Sequence, residues 1–283
     1  MELSEKLLET SKSDLETTKI LFKHAKYAEA VFHFQQSVEK SNKALMLFLK
    51  NVTEKELKGK ISHHPIKMYE NIFDKYDKIS DQFKSMRLKF PSLYNTPKII
   101  DVEKYSNDLK LLKKTISIEK SKNLTSKTIA RAIKNIRNSF LKYNKSPKQI
   151  DVNITQEKII EKIEQFEIEF FKMCDSMIKE SSELQKDLKD MFARLKSIDW
   201  ECNKIEKAIV MICSLAFRLH PILISNLYLS IIVNEHAVIS RYPDVYGIPQ
   251  EKYISNNPLI ERLPSLIYFQ SKTIALCDEI FQN

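Results

Sequence analysis

A chain of 283 residues with 43% hydrophobic content can bury a sizeable core, and its two glycines, Gly59 and Gly247, supply little for the tight turns of a sheet protein. Leu, Ile, Lys and Glu are abundant, so composition predicts an all-α fold and excludes chemistry built on glycine-rich phosphate loops, as in kinases, P-loop NTPases and nucleotidyltransferases. The net charge of +9 is local: nine Lys and Arg lie within 120–150, where Asp and Glu are absent, and the rest of the chain is balanced.

Residues 4–24 place Leu7, Leu8, Leu15, Ile20, Leu21 and Phe22 mainly at three- and four-residue steps, predicting a first helix. After the break HAKY, the residues Tyr27, Val31, Phe34, Val38, Leu45 and Leu49 form the core stripe of a second helix, and the two make an α-hairpin. NVTEKELKGKISHHPI reads as a connection, followed by a helix over 65–76. Residues 77–120 lack clean periodicity and contain Pro91 and Pro97, which predicts short helices joined by irregular turns.

A helix over 126–143 sets Ile129, Ile133, Ile136, Phe140 and Tyr143 on one side. Asn153 and Gln156 read as a capping box for the next helix. There Ile159, Ile163, Phe166, Phe170, Met173 and Met177 alternate in the four–three manner of a packing seam. That helix either continues to 195 or breaks near 180–182. The pattern resumes over 205–219, Pro221 kinks or restarts it, and 222–240 continues into the loop RYPDVYGIPQ. Asn257 and Pro258 read as the N-cap and first residue of a last helix, which uses Leu259, Leu263, Leu266, Ile274, Cys277 and Phe281. The expected organisation is a discontinuous bundle, 1–76 plus 205–283, with 77–204 as a helical, coiled-coil-like insertion.

Cys174, Cys202, Cys213 and Cys277 share no CxxC spacing and have no His nearby at ligand spacing. They read as buried thiols of a reducing cytoplasm, and neither a metal site nor a cofactor is expected. Met1 opens an amphipathic charged helix rather than a signal peptide. The most apolar stretch, 219–233, is 15 residues long and contains His220, Pro221 and Asn226, so it predicts a buried core helix and no membrane span.

In AEAVFHFQQSVEKSNKALMLFLK, over 28–50, Gln35, Glu39 and Asn42 flank the Val38 stripe, with Gln36 and Lys43 just beyond. Spacing alone gives a solvated flank with a Glu39–Lys43 pair at i,i+4. The wording of the segment gives a second reading. FHFQQSVEKSNKAL, then ISHHPIKMYENIF, then LYLSIIVNEHAVISRYPD, then a final helix after NNPLIE, resembles the HEPN family in four motifs taken in order. The resemblance covers about 1–76 and 205–283 and puts Gln36, Glu39, Lys43, His64, Tyr242 and Asp244 at family-motif positions. It implies an antiparallel bundle of four or five helices, commonly a homodimer, of the toxin–antitoxin or abortive-infection kind. Many such domains are metal-independent ribonucleases. Others bind RNA, nucleotides or a protein partner, such as an antitoxin-like nucleotidyltransferase or a phage protein.

The ribonuclease members carry an Arg, then four to six residues, then a His, which can move a proton near neutral pH while Arg holds the phosphate. Here His24, His33, His63, His64, His220 and His236 do not follow an Arg at that spacing. Arg218 and His220 are too close, Arg137 meets Tyr143 where His is expected, and His236 precedes Arg241 in reverse order. His236 and Arg241 are the catalytic candidates that remain. They read either as an RNA- or nucleotide-contacting pair or as a helix-end histidine and an arginine paired with Asp244. His63 and His64 read as loop and N-cap residues beside Pro65, or as part of a groove.

Lys127, Arg131, Lys134 and Lys142 fall opposite the isoleucines of their helix, with Arg137 in the same run. Cations clustered away from carboxylates suit phosphate contacts. The same stripe would also dock on an acidic neighbour, whether Glu157, Glu161, Glu164 and Glu167 of this chain or another protein. Two functions follow. One is a HEPN-like RNA-binding protein of prokaryotic antiviral defence or a toxin system, acting through an atypical site. The other is a catalytically silent dimeric module that binds a protein partner.

Overall fold

The computed structural model describes residues 2–61, 66, 68, 69, 125–145, 153–173, 182–234, 236–242 and 247–282. Among them every extended element is helical and no strand occurs. The chain divides into two compact units. One comprises Met1–Asp74, Lys110–Ser146 and Leu215–Asn283, the other Lys75–Leu109 and Pro147–Ser214. The predicted helix over 65–76 is described only at Ile66, Met68 and Tyr69, all buried. The readings for 77–120, His63, His64, Cys174, Met177, the break near 180–182 and Asp244 lie outside the described residues, at least in part.

In the first unit, α1 (Leu3–Lys23) and α2 (Tyr27–Phe48) form an antiparallel hairpin. The buried face of α1 is Ser4, Leu8, Ser11, Leu15 and Thr18, small polar residues alternating with leucines at three- and four-residue steps. Small side chains bring the helices close, and the Ser11 hydroxyl donates to the Ser37 carbonyl at 2.8 Å. Ile20, expected in this core, is 60% exposed because it stands two residues beyond the buried Thr18, on the opposite face of α1. Both helices end on a left-handed residue, Ala25 at φ 55° and Lys50 at φ 54°. After each, the chain bonds back into its helix, Lys26 N–H to the Leu21 carbonyl at 2.9 Å and Asn51 N–H to the Met46 carbonyl at 3.0 Å. With two glycines in the chain, ordinary residues occupy positions where glycine is usual.

A short α3 (Glu54–Glu56), capped by Thr53, runs into a π-turn, Leu57–Ile61. The basic helix α4 (Ser126–Lys145) buries Ile129, Ala132, Ile133, Ile136 and Phe140. It belongs to the first unit and packs on the last helix. Its apolar face needs cover, and Phe140 finds it by stacking on Phe269 at 5.9 Å.

In the second unit, α5 (Gln156–Met173) packs against α6 (Ser182–Ser197). Phe192 is fully buried among Phe166, Phe170 and Phe171, with ring centroids 5.8–6.0 Å away. The cap of α5 is Thr155, whose hydroxyl accepts from Lys158 N–H, rather than Asn153. Gln156 is drawn off to the end of α6, where it donates to the Ile198 carbonyl at 2.6 Å and accepts from Trp200 N–H at 3.0 Å.

The next helix, α7 (Cys202–Asn234), runs through Pro221 without interruption, and the boundary of the two units falls within it. Among the described residues it is the one helix long and apolar enough to cross a membrane, a length the stretch 219–233 does not reveal. Its burial is uneven. Ile222, Leu227, Leu229, Ile232 and Val233 are buried, whereas Met211 is 67% and Ile212 55% exposed. α8 (His236–Ile239) and α9 (Pro249–Lys252) follow, and both contact α2. Gly247, at φ 123°, lies where an added Cβ would come 2.6 Å from the Glu251 carboxylate. In α10 (Pro258–Phe281) the predicted cap is present, Asn257 accepting from Leu259 N–H at 2.8 Å with Pro258 at the first position. α10 packs on α1, α2 and α4, and its last turn stacks Phe281 on Phe48 at 4.3 Å.

Candidate nucleic-acid interface and a buried polar network

The polar flank of α2 is buried, not solvated. Gln35, Glu39 and Asn42 are 1%, 3% and 0% exposed. Gln36 donates to Gln35 at 2.6 Å, Gln35 donates to Glu39 at 2.8 Å, and Lys43 pairs with the other Glu39 oxygen at 2.7 Å. The i,i+4 pair expected from spacing therefore exists, but with the Glu39 side chain 4% and the Lys43 side chain 15% exposed. Such a pair is costly to break because a cation would be taken from a carboxylate buried in low dielectric.

The network continues across helices. Asn42 donates to Ser230 at 3.0 Å and accepts from the Tyr69 hydroxyl. Ser41 donates to Asn226 at 3.3 Å, Gln270 donates to Ser41 at 3.0 Å and to Ser37 at 3.2 Å, and Thr273 meets Ser225 at 2.6 Å. This spine stitches α2 to α7 and α10 through side chains that have few other ways to satisfy their hydrogen bonds. Sequence reasoning missed Ser37, Ser41, Ser225, Asn226, Ser230, Gln270 and Thr273. Their single signal is a recurring small polar residue inside otherwise apolar helices.

His236 and Arg241 face inward from α8 and the turn after it. His236 Nδ1 lies 2.7 Å from the Tyr253 hydroxyl, with the rings in an edge arrangement. Burial pushes the imidazole down to about 4, so it is neutral at physiological pH. The Arg241 guanidinium sits 4.7 Å above the Phe32 ring. His236 Nε2 and Arg241 Nε are both buried without a hydrogen-bond partner among the described residues. Nearby on the same hairpin, Asp14 takes His33 at 3.0 Å and Lys40 at 2.5 Å. Tyr242 is 62% exposed.

The basic run is arranged differently. Lys127, Arg131, Lys134, Arg137 and Lys142 are all exposed on α4, while the isoleucine side is buried. Lys127, Lys134 and Arg137 have no carboxylate partner among the described residues. Of the acidic candidates, Glu167 pairs with Lys196 at 2.7 Å and Glu161 accepts from Gln165 at 3.0 Å. Beside α4, a cleft of about 510 Å3 opens against α10. No group of three His, Cys, Asp or Glu side chains gathers as a metal site among the described residues. Cys277 is buried in α10, and burial pushes its thiol up to about 12, so it is inert rather than nucleophilic.

The α1–α2 hairpin, with its buried Gln35–Glu39–Lys43 relay, lies inside a segment that compares with a known family. Residues 4–90 match the HEPN domain family. No curated protein and no solved structure shows a significant match to the chain. HEPN is an all-α fold, as found here, and the match points to a nucleic-acid-related, defence or toxin-type role. Of the positions expected from the resemblance, Glu39 and Lys43 form the buried pair and Gln36 feeds it, whereas Tyr242, outside the matched residues, stands at the surface.

Proposed function

We propose that this chain is a HEPN-type RNA-binding protein of a prokaryotic defence or toxin system, working in the cytoplasm as a homodimer. In this reading the first unit is the HEPN-like bundle and RNA lies along α4. One observation carries it: α4 buries its isoleucines and presents five cations on the exposed side, in a stretch without a carboxylate. A helix of that kind neutralises phosphates without competing carboxylates of its own and gains from counterion release. His236 and Arg241 serve here as packing residues, because one is neutral and edge-on to Tyr253 and the other lies on Phe32.

The test is binding of total RNA over a salt series, with Lys127→Glu/Lys134→Glu beside the parent chain. Binding falls with salt, and each lost phosphate contact flattens the logarithmic slope by about 0.7 for single strands. A pair of reversals that leaves affinity and slope unchanged defeats the reading. Incubation of the same RNA without metal, with sequencing of cleavage ends beside a His236→Phe/Arg241→Met variant, separates binding from cleavage. A second reading, a silent module bound to a protein partner, is favoured by Met211 and Ile212, which stand exposed on α7.

A further inference from the structure

The cleft between α4 and α10 differs from a plain basic surface. Its floor is aromatic: Phe140 of α4 stacks on Phe269 of α10, and Phe269 meets Tyr268 edge-on at 5.2 Å. Its rim is cationic, with Arg137 on one helix and Lys272 on the other. Tyr268 is the aromatic side chain that remains open there, 54% exposed beside Leu141 at 48%, with the Lys272 ammonium 5.2 Å from its ring centroid. Asn144 and Ser265 add an amide and a hydroxyl at the edge. An exposed aromatic face between two cations, beside hydrogen-bonding groups, is suited to one flat ring that carries an anion.

We infer that this cleft is a base-stacking site for single-stranded RNA, in which one unpaired nucleobase lies on Tyr268 and its phosphate is held by Arg137 and Lys272. The inference rests on the RNA-binding reading above and specifies the strand form that the reading leaves open. A duplex hides its base faces, so the cleft accepts unpaired nucleotides only. Stacking a base on Tyr268 displaces the Lys272 ammonium from the ring, a weak contact at an exposed site, and frees it for phosphate. Charge complementarity decides the occupant: Arg137 has no carboxylate partner among the described residues, and Lys272 is held by a ring rather than an acid. A neutral apolar peptide would leave both cations without a counterion.

The experiment uses the full chain and a fluorescein-labelled oligouridine, with a duplex RNA of the same length as control. Tyr268→Ala and Tyr268→Leu weaken single-strand binding about tenfold with an unchanged salt slope, whereas Tyr268→Phe binds like the parent. Duplex binding does not respond to any of the three. A 2-aminopurine placed in the strand is quenched on binding to the parent and to Tyr268→Phe but not to Tyr268→Ala. Because Tyr268 is at the surface, thermal melts of all variants should coincide, which removes misfolding as an explanation. If Tyr268→Ala binds the single strand normally while Lys127→Glu/Lys134→Glu weakens it, the base site is overturned and the RNA reading stands. If the parent chain does not bind RNA at all, both fall.

Discussion

Asn42 on α2 donates its side-chain amide to Ser230 on α7 at 3.0 Å while its carbonyl accepts the hydroxyl of Tyr69. The same amide also reaches the Val38 carbonyl at 2.8 Å, so a fully buried side chain satisfies groups on three segments. Replacement by Ala should take an acceptor from the Tyr69 hydroxyl and a donor from Ser230, at about 1–3 kcal/mol, and leave a small void besides. Urea unfolding should show a lower midpoint at constant slope. A loss under about 0.5 kcal/mol, the range of neutral surface changes, would mean that water replaces Asn42.

The Glu39–Lys43 pair predicts a non-additive result. Lys43→Met takes one cation from a carboxylate that is 4% exposed, and should cost about 3 kcal/mol, the low end for breaking a buried pair. Adding Glu39→Gln removes the charge yet keeps an oxygen for Gln35, so the double variant should recover more than half of the loss. A double-mutant cycle measures the coupling, and independent, additive losses would show that the pair is not a unit.

How much of this was readable beforehand depends on whether the signal is local. Val31, Phe34 and Val38 recur at helical spacing and are buried, and Asn257 before Pro258 is a cap that needs nothing beyond its own turn. Gln35, Glu39 and Asn42 were misread because a polar flank on one helix looks solvated until its partners are known. Ser230, which takes Asn42, and Asn226 and Gln270, which meet the neighbouring Ser41 and Ser37, lie far along the chain, and the register that brings them onto α2 is a property of the packed helices. The cleft divides the same way. Tyr268 and Lys272 are i,i+4 neighbours and could be paired on sequence, but their approach to Arg137 could not.

Lys50 ends α2 in the left-handed region at φ 54°, a conformation in which a side chain costs about 1 kcal/mol relative to glycine. Lys50 is exposed, so Lys50→Gly removes the strain without loss of a buried contact. The variant should be more stable by about 1 kcal/mol, read as a higher melting temperature. The same substitution one position earlier, Leu49→Gly, occurs at φ −75° and should destabilise, which controls for generic loop effects.

His236 gives the chain a pH dependence whose sign is fixed by burial. Its folded value lies near 4, below the 6.5 of an exposed histidine, so the unfolded chain binds a proton more readily between those limits. Stability from this group is therefore present above pH 6.5 and is lost as pH falls toward 4, by an amount of order 3 kcal/mol. His236→Phe keeps a ring against Tyr253 and removes the titration. Subtracting its stability curve from that of the parent cancels the other acids and bases, and the difference should slope only between pH 4 and 6.5. The substitution also strands the Tyr253 hydroxyl, now 2.7 Å from Nδ1, which adds a constant offset without a slope. A flat difference curve would mean that the imidazole reaches solvent and titrates normally. In that case His236 would be free to meet a phosphate near neutral pH, and its exclusion from RNA contact would fail with it.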